Sequence, residues 1–146
     1  MNREDFIKKC GLGCLGAMMM PAILQGCAGT KYIDAGIEGS DLLIPLSSFE
    51  KIKDDVVQYR KYIVASNDTL QFPICVYRLS ENDYRALWMK CTHQGTELHV
   101  FGDRLQCPAH GSEFTTTGAV QNGPAADPLR SFSVTVSETT LKINLR

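Results

Sequence analysis

Cysteine and histidine come together twice in this chain, as Cys91-x-His93 and as Cys107-x-x-His110. Each stretch supplies one soft thiolate and one neutral imidazole, and each is followed by a glycine, Gly95 or Gly111. Two mixed pairs on two loops suit a binuclear iron–sulfur cluster, with both thiolates on one iron and both imidazoles on the other. Thiolates delocalise the charge of ferric iron, whereas imidazoles bind without adding negative charge, which raises the potential above that of an all-cysteine cluster. The glycines let backbone N–H groups approach the sulfurs closely, and Pro108 stiffens the second loop.

Cys91-Thr-His-Gln-Gly-Thr-Glu-Leu and Cys107-Pro-Ala-His-Gly-Ser-Glu-Phe together resemble the double box of Rieske 2Fe-2S proteins. The resemblance implies one 2Fe-2S cluster held by Cys91, His93, Cys107 and His110, with cluster-binding loops at about 91–96 and 107–114. It also implies that Gly123-Pro124-Ala125-Ala126-Asp127-Pro128-Leu129 is the proline-containing loop, 123–129, that covers the cluster. Around the ligands it gives Gly95, Gly111, Ser112, Phe114 and Pro124 supporting roles. High-potential members of the family join the two boxes by a disulfide, but here the matching positions are Thr96 and Ala109. Such members also donate hydrogen bonds from a serine and a tyrosine; Ser112 keeps the first, while Phe114 lacks the second hydroxyl. The potential is therefore expected in the lower half of the roughly −150 to +300 mV range of such centres. That shifts the expected donors from ubiquinol toward menaquinol or a ferredoxin-like protein.

Two cysteines and two histidines also describe zinc sites, and either residue can be plain core. Zinc fingers and ribbons pair Cys with Cys and His with His, so mixed pairs favour iron–sulfur. A zinc-stabilised binding lipoprotein without redox role remains the alternative from another class.

What must position these loops begins after a different kind of segment. Arg3, Lys8 and Lys9 precede an apolar run, Cys10 to Leu24, too short for the about 20 apolar residues of a membrane span but suited to a signal peptide. Leu24-Gln25-Gly26-Cys27 resembles a bacterial lipoprotein box, which implies a signal at 1–26 and lipidation of Cys27. The competing reading is an uncleaved helical anchor. Arg3-Glu4-Asp5-Phe6-Ile7-Lys8 is similar to a twin-arginine export signal with Glu4 in place of the second arginine, so the translocon stays open. On this reading Cys10 and Cys14 leave with the signal and Cys27 carries lipid. Of the six cysteines, only Cys75 is then unassigned; it lies in an apolar run, as a core residue would.

Residues 27–40, rich in glycine and small side chains, read as a lipidated tether, and 41–146 as one domain. Asp41 to Leu46 reads as an edge strand because of Pro45, and Val56 to Ala65 as an apolar run with charged interruptions. Pro73 to Leu79 and Tyr84 to Lys90 flank a polar turn, and so do Phe132 to Val136 and Leu141 to Leu145. Only Ser47 to Lys53 could form a turn or two of helix. The body is thus all-β, and the resemblance implies three antiparallel sheets with a small cluster-binding subdomain. Trp88 reads as core, and Tyr59 and Tyr62 as strand residues. The chain's 15 Lys+Arg and 16 Asp+Glu become 12 and 14 once Arg3, Lys8, Lys9, Glu4 and Asp5 are set aside. Near neutrality argues against nucleic acid as a partner.

Together these readings point to an exported, lipid-anchored one-electron carrier at the extracytoplasmic face of a bacterial membrane. Its partner would be a redox protein or a quinol. The nearest alternative is a Rieske subunit of a larger membrane or periplasmic oxidoreductase. A whole oxygenase would need a mononuclear iron held by two further histidines and a carboxylate, and only His99 is left.

Overall fold

The computed structural model describes residues 29–146. The signal at 1–26 and the lipidation of Cys27 lie outside the described residues. Fourteen strands and one short 3-10 turn make up the rest. They are β1 (Tyr32–Asp34), β2 (Gly36–Glu38), β3 (Asp41–Pro45), β4 (Glu50–Lys53), β5 (Val56–Tyr59), β6 (Tyr62–Ser66) and β7 (Ile74–Arg78). The chain continues through β8 (Tyr84–Trp88), β9 (His99–Phe101), β10 (Arg104–Gln106), β11 (Glu113–Thr115), β12 (Val120–Asn122), β13 (Ser131–Val136) and β14 (Thr140–Asn144).

These form three sheets, as expected: eight strands in the order β1-β6-β7-β8-β13-β14-β3-β2, four as β12-β11-β10-β9, and the β4–β5 hairpin. All pairs are antiparallel except β1 with β6. β1 and β2 are the two edges of the large sheet, yet only Ala35 separates them in sequence. The sheet therefore curls until one segment, 32–38, closes it from both sides, and Ala35 at the join is buried, its N–H donating to Ser66 O. This corrects the tether reading for that segment. Ile33 and Ile37 pack on the barrel core, and the rest of the hold is backbone pairing, which composition does not reveal.

Two smaller expectations are corrected too, and a third is filled in. β3 is interior, between β14 and β2; Pro45 is tolerated because it is the strand's last residue, and Leu46 N–H makes the next bond, to Thr139 O. The run 56–65 is two strands, broken at Arg60-Lys61. The helical candidate at 47–53 is a 3-10 turn, Leu46–Phe49, leading into β4.

The strands nearest the candidate site are buried on both faces. Ile63, Ala65, Ile74, Val76 and Ala86 point into the barrel with Leu42, Ile44, Leu141 and Ile143. Val64, Cys75, Tyr77 and Leu87 point outward, against Leu98, Leu105 and Phe114 from the four-stranded sheet. Alternation is lost in β6–β8 because both sides are apolar. Cys75 is core, as expected; burial pushes its thiol up to about 12, with the Tyr77 side chain acting weakly the other way. Tyr59 and Tyr62 are strand residues. Trp88 is only half-buried, with Phe72 edge-on to its ring at 5.7 Å.

Candidate metal centre

β8 leads into the first box and β10 into the second, so both loops leave the C-terminal ends of strands. Each is closed by the same two backbone bonds. Gly95 N–H donates to Cys91 O at 2.8 Å, and Cys91 N–H to Thr96 O at 2.8 Å. In the second loop Gly111 N–H donates to Cys107 O at 3.0 Å, and Cys107 N–H to Ser112 O at 2.8 Å. Gly95 and Gly111 have φ of +74° and +78°, a left-handed conformation that a Cβ disfavours.

This doubled turn brings the four expected donors together as two pairs. Cys91 and Cys107 are both 2% exposed and both free thiols, and both belong to one buried cluster. His93 and His110 are exposed, with ring centroids 5.0 Å apart and planes nearly perpendicular. Burial works to raise the pKa of Cys107, but it is outweighed. The N–H groups of His110 and Ala109, the Cys91 thiol and the Thr96 hydroxyl all favour the thiolate, so its pKa lies below the usual thiol value. Among the described residues no three His, Cys, Asp or Glu side chains gather about one point.

The segment 123–129 is tied to both boxes. Ala125 N–H donates to the buried Ser112 Oγ at 3.0 Å, leaving the serine's own proton free to donate. Thr92 Oγ1 donates to Asp127 O at 2.7 Å. Ala125 and Leu129 are buried against the core that contains both cysteines, while Pro124 itself is exposed after a cis Gly123–Pro124 peptide. Phe114, fully buried in β11, belongs to the same core.

Sequence reasoning missed Thr92 and the role of Thr96. The signal was available: Thr96 and Ser112 stand at the same distance, five residues, after their cysteines. Of the two basic residues near the ligands, Lys90 lies over Trp88 at 5.1 Å and Arg104 faces Glu113 at 3.6 Å. An open cleft of about 580 Å³ runs beside the first box, between His93, Lys90, Trp88 and Arg130.

The donor set fits a binuclear cluster. Two thiols buried in one cluster and two neighbouring exposed imidazoles are what two irons of different ligation require. Such a set defines a histidine-ligated iron–sulfur domain. Residues 51–133 match the family model described as the Rieske [2Fe-2S] domain. The chain belongs to that family, a family of electron-transfer domains with one 2Fe-2S cluster.

Relatives agree with the assignment. The chain is 30% identical over 57 residues to the cytochrome b6-f complex iron-sulfur subunit of Chlorobaculum tepidum, over 38% of this chain and 32% of that one. It is 36% identical over 56 residues to iron-sulfur subunit 3 of the same complex in Nostoc sp., over 37% and 32%. The chain thus matches about a third of the length of these curated relatives. Among solved structures, the plasma membrane Rieske protein PetC3 of Synechocystis superposes with a TM-score of 0.51 at 26% identity, over 57% of this chain and 86% of that one. The quaternary ammonium Rieske monooxygenase CntA shares the fold, with a TM-score of 0.55 at 19% identity over 73% of this chain and 33% of that one.

Proposed function

We propose that this protein is an exported, membrane-anchored one-electron carrier. In it Cys91 and Cys107 hold one iron of the cluster, and His93 and His110 the other. The single observation that carries this reading is the separation of donors: two thiols buried in one cluster, two exposed imidazoles with ring centroids 5.0 Å apart. When bound, the cluster accepts and gives up one electron. The thiolates lie on the core side with Phe114 and Leu98, where water is excluded. The imidazoles lie on the solvent side, where a partner can touch them. Ser112, Gly95, Gly111 and the loop carrying Pro124 keep these groups in register.

A second reading, in which the chain is a Rieske subunit of a larger oxidoreductase, is favoured by the names of its relatives, subunits of a cytochrome b6-f complex. On either reading residues 1–26 act as a signal and Cys27 carries lipid, at the extracytoplasmic face of a bacterial membrane. The partner is a redox protein or a quinol. No helix among the described residues is long and apolar enough to cross a membrane.

The test is purified full-length protein. Two irons and two sulfides per chain, EPR-silent when oxidised and giving an anisotropic signal when reduced, are expected. A stable colourless protein with stoichiometric zinc would overturn the reading. Recovery of the protein from membranes with a stoichiometric partner would favour the subunit over the free carrier. An intact Met1 in membrane-bound protein would overturn lipidation at Cys27.

A further inference from the structure

We propose that the hollow between the root of the β4–β5 hairpin and the point where the N-terminal segment leaves the domain binds a phosphate group, supplied by the headgroup of an anionic lipid. The lipid as its source rests on the anchoring reading above; the charge and burial of the hollow do not.

The hollow holds about 250 Å³ and is bordered by Gly29, Lys51, Gln58, Arg60, Lys61 and Tyr62, together with Tyr59. Three of these residues carry a positive charge and none a negative one. Lys51 and Arg60 are half-buried, and long cations withdrawn from water are ordinarily paired. Here they are not: among the described residues the one ion pair within 4 Å joins Arg104 and Glu113. Lys61 also borders a hollow that contains Asp103, without pairing with it. Arg60 goes further, because its Nε is buried without a hydrogen-bond acceptor, and an unmatched buried donor is costly.

The charges of the hairpin are sorted by face. Lys51 pairs across the strands with Gln58, and Glu50 with Tyr59, so Lys51 and Glu50, adjacent along β4, point to opposite faces. The hollow on the Glu50 side contains Glu81 and Glu138 with one cation, Arg78, which lies over the Tyr59 ring at 4.3 Å. Cations therefore collect on the side where the chain leaves, and acids on the other. Phosphate suits this donor set better than a carboxylate. Lys51 approaches from β4, and Arg60 with Lys61 from the link between β5 and β6. A tetrahedral group offers an oxygen to each, and the Arg60 guanidinium can take two. Gln58 and the Tyr62 hydroxyl, which bonds Thr30 Oγ1 at 3.0 Å, add neutral donors.

The reach of the chain decides what supplies the phosphate. β1 runs parallel to β6, so Gly29 and Thr30 lie at the Tyr62 end of that strand, and Gly29 itself borders the hollow. Cys27 is two residue steps from Gly29, at most about 7 Å fully extended. Acyl chains on Cys27 therefore bring lipid headgroups to the hollow, and cations beside a membrane anchor favour anionic ones. This end of β6 is the one away from the first box. Tyr62 pairs with Tyr77, whereas Ala65 pairs with Ile74 and Ile74 with Trp88, which leads into Cys91. A headgroup held here does not compete with a partner at His93 and His110.

Lysine acetylation in vesicles tests this. Full-length lipidated protein, bound to phosphatidylcholine vesicles with or without phosphatidylglycerol, is labelled briefly with acetic anhydride, and each lysine is quantified by peptide mass spectrometry. Phosphatidylglycerol should slow the labelling of Lys51 and Lys61 about threefold or more. Lys53, on the same face of the hairpin but outside the hollow, reports the surface potential alone. It and Lys142, in β14, should change much less. Removing one cation should release the others: Arg60→Gln restores labelling of Lys51 and Lys61, and Lys61→Gln, which leaves the half-buried Arg60 in place, restores that of Lys51. Protein that sediments with the vesicles while Lys51 and Lys61 are slowed no more than Lys53 overturns the site and leaves the anchor standing. Protein that stays in the supernatant with both kinds of vesicle overturns the anchor and the lipid site together. Protection by inorganic phosphate in phosphatidylcholine vesicles, with none added by phosphatidylglycerol, overturns the lipid as the source.

Discussion

The two cysteine–histidine loops have the same backbone closure but place their histidines differently. From each cysteine the glycine is four residues on and the hydroxyl residue five, at Gly95 and Thr96 in one loop and at Gly111 and Ser112 in the other. The histidine is two residues on in the first and three in the second. The spacing that builds the turn is therefore cysteine to glycine. The histidine needs only to lie inside it. The loops also differ in their surroundings: Ser112 is buried beneath Ala125, whereas Thr96 is half-buried. A Cβ at position 95 would meet Lys90 Cε at 3.2 Å, and one at 111 would meet nothing.

If the loops are equivalent in holding metal, Cys91→Ser and Cys107→Ser should each abolish the cluster, read as loss of bound iron and of the EPR signal. One variant retaining a full cluster would break the equivalence at its root. The next largest effect belongs to Ser112. Ser112→Ala leaves the buried Ala125 N–H without an acceptor, a cost of about 1–3 kcal/mol, measurable by urea unfolding. Thr96→Val, whose hydroxyl is less enclosed, should cost less; equal losses would mean that burial does not separate the loops. Gly95→Ala and Gly111→Ala should each lose about 1 kcal/mol, since both need a positive φ. Gly95→Ala should be only slightly worse, because the Lys90 side chain it meets is flexible. Smallest is Phe114→Tyr. A hydroxyl beside the second loop that donated to a thiolate would favour the reduced state by about 1 kcal/mol, which is about 40 mV for one electron. Film voltammetry would read this, and Phe114→Leu should leave the midpoint nearly unchanged.

Most of the candidate site was legible because its elements are local. A turn closed within five residues leaves its glycine and ligands side by side in sequence. β7 with β8 and β13 with β14 were legible for the same reason, each being two apolar runs around a short polar turn. The segment 32–38 was not. Its strands are three residues long with one apolar side chain each, Ile33 and Ile37, too short for a period to show. What makes them strands is pairing with β6 and β3, far along the chain. The four strands of the small sheet are equally short. The tie from Thr92 to Asp127 crosses 35 positions, and no spacing rule reaches that far.

The two cores set the order in which the molecule can mature. The barrel interior, from Leu42 to Ile143, contains none of the four expected ligands, so it can condense before any iron arrives. The outer core cannot be finished that way, because both cysteines are part of it. Closing the barrel requires β8 to find β13 while residues 89–130 loop out between them, at an entropic cost that grows only slowly with loop length. The two cysteine turns belong to the outer core that packs on this barrel, and the hydrogen bond from Ala125 N–H to Ser112 Oγ ties segment 123–129 onto it.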